Sequence, residues 1–183
     1  MGRLPLYLAT VAVGLFAGFC FCYAVAITRG LARLDDQAYV TAMRKLNEAV
    51  PSVPFLLVFG GSLVLPLVAL AFSSPRHPTL VTWLIAAAAV CSVAAFAVSV
   101  AGNIPLNGRL ADAVTRDAAD FHRARHAFEH TWNVLHLLRT LSSGLALVLL
   151  VGACMTHPRH HASTNTSAPS PASVDAPSSA PSA

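Results

Sequence analysis

The chain has 183 residues, of which 55% are hydrophobic and only 11% charged, with a formal net charge of +4 and a mean hydropathy of +0.61. A soluble domain carries roughly 25% charged residues, so a water-soluble enzyme is the wrong starting point. The basic residues lie mostly between apolar runs and form no stripe interleaved with aromatics, which argues for contact with lipid headgroups and against nucleic acid.

Four apolar runs set the architecture: residues 4–27, 53–72, 80–101 and 131–156. A hydrocarbon core about 30 Å thick needs roughly 20 helical residues, so each run predicts a membrane span. Arg3 and Ala24-Val25-Ala26 imitate parts of a signal peptide. The first run is nevertheless far longer than the usual h-region of about 7–15 residues, so it is expected to stay as a span. Thr10, Gly14, Gly18 and Cys22 recur every four residues along it, a small face that predicts close contact with a neighbouring helix.

The first long connection mixes Leu31, Leu34, Met43, Leu46 and Val50 with charges, and Asp35 or Asp36 suits an N-cap. This predicts a short amphipathic helix near 36–49, at the interface or over the mouth of the bundle. The second run carries Gly60-Gly61-Ser62 and Pro66, which predict a kink or a loosened turn. The third is slim at Ala86 to Ala89 and ends at Asn103-Ile104-Pro105-Leu106-Asn107. Asn and Pro there read as helix stop signals. The two amides could instead bind a ligand at the helix mouth or hold the fourth helix, and Asn47 could reach the same place. A second connecting helix is expected from Leu110 to Phe128, able to run directly into the fourth span.

The expected fold is therefore all-α: a transmembrane four-helix bundle over residues 1–156, with short amphipathic helices in its two long connections. Residues 157–183 are rich in Ser, Pro and Ala and are expected to be a disordered tail. Arg29, Arg33, Arg44, Lys45, Arg109, Arg116, Arg123 and Arg125 lie on one side, against Arg3, Arg76 and Arg159 on the other. The positive-inside rule then places the long connections in the cytoplasm and the termini outside the cell membrane.

The fourth run concentrates the polar chemistry. Trp132, His136, Arg139 and Ser143 are spaced by four, three and four, which stacks them on one helical face flanked by Asn133 and Thr140. Such groups do not face lipid tails without cost, so the stripe is expected to point into the bundle. Arg139 there either bonds carbonyls and polar neighbours as a structural lock or binds a polar or anionic ligand. His126-Ala127-Phe128-Glu129-His130 spells the inverted zinc-protease motif H-x-x-E-H, with His122 one turn earlier. No further acid follows in the membrane domain to complete a zinc site, so a polar face at headgroup level is preferred and no metal is expected. His157, His160 and His161 form a second small cluster without a clear metal role. Cys20, Cys22, Cys91 and Cys154 read as buried thiols, although spacing alone does not exclude a Cys91–Cys154 bridge. Phosphate-binding, dinucleotide and nucleophile-elbow motifs are absent.

Several pieces together resemble a known family. They are Ala17-Gly18, Arg29-Gly30-Leu31, Ala42-Met43 followed by Asn47, Asn103-Ile104-Pro105-Leu106-Asn107, and Trp132 with Arg139-Thr140. The chain resembles the anthrone oxygenase-like domain-of-unknown-function family of small four-span membrane proteins, over roughly Val11 to Ala153. His136 stands where that pattern more often has Asn. The resemblance implies a cofactor-independent oxygenase acting on an apolar, aromatic polyketide-like molecule within the lipid bilayer. It implies that Arg139 stabilises an oxyanion, His136 serves as base and Trp132 stacks on the rings. Asn103 and Asn107 would orient substrate oxygens, with Asn47, Asn133 and Thr140 as further binding residues. A non-enzymatic accessory or scaffold protein and a small-solute carrier are the competing readings.

Overall fold

A computed structural model describes residues 3–73 and 79–156. The expected tail with its histidines, and Arg76 and Arg159, lie outside the described residues. Helix α1 spans Arg3–Cys22 and passes through a π turn, Tyr23–Ile27, into α2, Thr28–Leu31. Then follow α3 (Asp36–Ala49), α4 (Val53–Ala71) and α5 (Leu80–Val98). A second π turn, Ser99–Asn103, leads into α6 (Ile104–Asp112), and α7 (Ala118–Thr156) is the last element among the described residues. Among the described residues there is no strand. Four helices are long and apolar enough to cross a membrane: Leu4–Leu31, Val53–Ala71, Leu80–Asp112 and Ala118–Thr156.

The spans pack in a ring, α1 against α4, α4 against α5, α5 against α7, and α7 back against α1. At the end of the bundle where α1 begins and α7 finishes, the core is small and aliphatic: Leu6, Ala9, Val13, Ala69, Ile85, Ala88, Ala146 and Leu150. The outside is equally apolar. Leu57 is 72% exposed and Val148 67%, and so much apolar surface is stable only against lipid. This is a multi-pass membrane protein.

At the opposite end the connecting elements build a cap. Asp35 accepts a hydrogen bond from Ala38 N at 2.8 Å and starts α3, which buries Tyr39, Val40 and Met43 against Leu110, Phe128 and Trp132. The 39 residues of α7 make a rod about 58 Å long at 1.5 Å per residue. Its first half therefore projects past the hydrocarbon core and supports the cap.

Three expectations need correcting. Asn103 and Pro105 do not stop the third helix. The π turn carries the chain through, with Ile104 N bonded to Ser99 O, and the widened turn accommodates a proline that lacks an N–H. The helix expected from Leu110 to Phe128 is broken, because Ala113 is extended and Asp117 caps α7 by accepting from Asp120 N at 2.8 Å. The small face of α1 is only half used. Gly14 looks toward Leu147, whereas Gly18 has open space beside it and Cys22 is exposed. The face that is buried instead carries Leu6, Val13, Phe16, Cys20 and Tyr23. Their bulk gives more packing surface than a row of glycines.

Pro66 lies buried inside an uninterrupted α4. All four cysteines are free, and Cys154 Sγ lies 3.4 Å from Thr10 Oγ1.

Candidate functional site

The stripe on α7 faces inward. Trp132, His136, Arg139 and Ser143 are all buried. His136 Nε2 lies 3.0 Å from the carbonyl of Cys20, so that nitrogen carries the proton, because a carbonyl accepts. Nδ1 is then the acceptor, and it takes a hydrogen bond from Arg139 Nε at 3.0 Å. Both ring nitrogens are thus engaged, and the imidazole holds the guanidinium one turn away. The Trp132 ring stacks on His136 at 4.8 Å between centroids and 6° between planes, and the guanidinium carbon sits 5.5 Å from its centroid.

Arg139 is 9% exposed, yet its two terminal nitrogens make no hydrogen bond to a described residue. Neither are they sealed from solvent-sized space, since the fully enclosed unpaired side-chain atoms are Asn47 Nδ2, Ser92 Oγ and Asn103 Oδ1. No carboxylate among the described residues pairs with Arg139. The guanidinium opens instead onto a cavity of about 560 Å³ at the capped end of the bundle, within the range of small-molecule sites. Phe19, Tyr23, Phe55, Phe59 and Trp132 wall it, and Asn47, Ser99, Asn107, Arg44 and Glu48 supply the other polar groups. The Phe rings hold one another, with Phe55 and Phe59 stacked at 5.8 Å and Phe19 and Phe55 at 5.0 Å.

Of the residues marked by sequence, Asn47, Asn107, Trp132 and Arg139 line this cavity; Asn103, Asn133, His136 and Thr140 do not. The asparagine pair ties helices together: Asn103 Nδ2 donates to Trp132 O at 3.1 Å, and Trp132 Nε1 donates to Asn107 Oδ1 at 2.8 Å. That second bond leaves the Asn107 amide nitrogen for the cavity. Thr140 Oγ1 donates to His136 O and so steadies the stripe from behind. His122, His126 and His130 are exposed on the projecting part of α7. No group of three or more His, Cys, Asp or Glu able to hold a metal occurs among the described residues.

Two arginines that sequence reasoning passed over hold the cap. Arg44, which also lines the cavity, donates to the carbonyls of Leu110 at 2.9 Å and Ala113 at 2.6 Å. It thereby neutralises the negative end of α6. Arg125 donates to the carbonyls of Leu34 and Ala32 and to Asp36, pairs with Glu129, and lies over the Tyr39 ring at 4.4 Å. The hydrogen bond from His122, and then Arg125, holds the Asp36 carboxyl below its ordinary value. A lowered value means that the contribution is present above the usual carboxylate range and is lost as pH falls through the lowered one. The protection of α3 amides from hydrogen exchange, relative to the intrinsic rate at each pH, should therefore fall on acidification, and Asp36→Asn should flatten that dependence. Equal acid sensitivity in both proteins would contradict the clasp.

A family model described as anthrone oxygenase matches residues 52–149. No curated protein and no solved structure matches the chain significantly.

Proposed function

The chain belongs to the anthrone oxygenase family, and from that premise we propose that it oxidises a flat, apolar aromatic substrate with dioxygen inside the membrane. The observation that carries this reading is the buried Arg139 guanidinium, whose terminal nitrogens are unspent and open onto an aromatic-walled cavity. An anthrone-type substrate has an acidic methylene opposite a ketone. Loss of one methylene proton gives an enolate, and a guanidinium at its oxygen stabilises that charge in a low-dielectric site. The enolate carbon then bonds to dioxygen and reduces it to the hydroperoxide level. Loss of the second carbon-bound proton with cleavage of the O–O bond leaves the new ketone and one water. Substrate and dioxygen are consumed one to one, and the electrons come from the substrate itself.

The residues divide this work. Phe19, Phe55 and Phe59 offer ring faces for the flat substrate, and Asn107 offers its amide near the edge, whereas the Asn47 amide nitrogen is enclosed behind the wall. His136 positions Arg139 in this reading and does not act as the base. A proton taken at Nδ1 would break the bond from Arg139 and set two positive charges side by side. The proton leaves through the mouth, where Glu48 is the lining carboxylate. That mouth lies at the end bearing the two long, basic connections, so in this reading it faces the cytoplasm.

Oxygen uptake by the purified protein with an anthrone tests the reaction. The expected result is a rate well above that of protein-free membranes and one dioxygen consumed per anthrone. A rate equal to the control would remove the reading for that substrate.

A further inference from the structure

Resting on that reading, we infer that the Tyr23 hydroxyl is a second donor to the substrate oxyanion, completing with Arg139 a two-donor cradle. Tyr23 opens the first π turn and is 6% exposed. Its ring is wedged among aromatics, 4.9 Å from Phe19, 6.3 Å from Trp132 and 5.9 Å from His136 between centroids. That places it beside the rings that locate Arg139, on the wall of the same cavity. A buried tyrosine hydroxyl ordinarily finds a hydrogen-bond partner. This one bonds to no described residue, and it is not among the enclosed unpaired atoms, so it opens onto the cavity.

The backbone behind it is well fixed. The Tyr23 carbonyl accepts from both Thr28 N and Thr28 Oγ1, and Thr28 Oγ1 also reaches Ala24 O at 3.1 Å. Such reinforced π turns recur at functional positions, and here one holds a side chain at the cavity wall. A neutral hydroxyl beside a guanidinium suits a single oxygen that gains negative charge. It donates one hydrogen bond without adding a second charge to be buried.

The test uses 2-hydroxyanthraquinone, which has no methylene to oxidise and changes colour when its phenol ionises. Bound to the full-length protein in detergent, it should ionise at lower pH than in empty micelles, because both donors favour the anion. Tyr23→Phe keeps the ring packing and should leave thermal stability unchanged. The colour change should move upward by about one pH unit, the tenfold effect of one hydrogen bond to a charged oxygen. A variant that titrates like the parent would overturn the role of Tyr23 while leaving the oxygenase reading intact. Failure of the parent to bind the dye would sink both. If the Phe variant does not purify, 3-fluorotyrosine at position 23, a stronger donor, should shift the change downward; no shift would overturn the inference.

Discussion

Arg139→Gln should lower the turnover of an anthrone by about 100- to 1000-fold, the usual effect of removing a preorganised oxyanion donor. Stability should respond differently. The buried guanidinium has one side-chain partner, His136 Nδ1, and no carboxylate among the described residues. Burying a charge so weakly compensated is a net cost, so the neutral amide should leave the melting temperature unchanged or raise it. A structural lock predicts the reverse, a loss of about 3–5 kcal/mol on breaking a compensated buried charge. Measuring turnover and thermal unfolding on the same preparation separates a catalytic cation from a scaffold. His136→Asn, which restores the residue more often expected there, should cost far less activity than Arg139→Gln, because an amide oxygen can still accept from Nε.

Gly108→Trp should raise KM for the substrate at least tenfold without unfolding the protein. Gly108 lines the cavity on α6, and a Cβ built there meets nothing within 4 Å. An indole at that position fills space meant for the ligand. Replacing a helical glycine also relieves a propensity penalty of up to about 1 kcal/mol, so stability should hold. Gly102→Trp is the informative contrast. Its Cβ would lie 2.7 Å from Leu135 Cδ1, so that variant should lose stability through overpacking, by about 1–3 kcal/mol. If Gly108→Trp kept a normal KM, the cavity would not be where the substrate sits.

The spans were legible because lipid imposes one strong rule on composition, and runs of uncharged residues obey it visibly. Helix α3 was legible for a similar reason: a capping aspartate followed by alternating apolar and charged positions fixes both its start and its buried face. The inward stripe on α7 followed from helical spacing together with the cost of placing Arg139 in lipid. The π turns were not legible, since Tyr23–Ile27 and Ser99–Asn103 read as ordinary helix and Asn103-Pro105 as a stop. Only the packing of α6 under α3 shows why the helix continues. Asn103 illustrates the limit of spacing arguments, because holding the fourth helix was one of its foreseeable roles, but spacing could neither choose that role over ligand binding nor name the Trp132 carbonyl as the acceptor. The aromatic wall was hidden for another reason. Phe19, Phe55 and Phe59 sit in runs where any apolar residue satisfies the bilayer, so nothing local separates a ligand-facing ring from a lipid-facing one. Arg44 and Arg125 were counted only as charge, although the carbonyls they bind determine how the cap is held.

The most direct test is a structure of the protein with a hydroxyanthraquinone bound. The guanidinium account predicts one ligand oxygen about 3 Å from a terminal nitrogen of Arg139, with the ring system lying among Phe19, Phe55 and Phe59. A ligand bound on the lipid-facing surface, or within the cavity but with its oxygens turned away from Arg139, would contradict it.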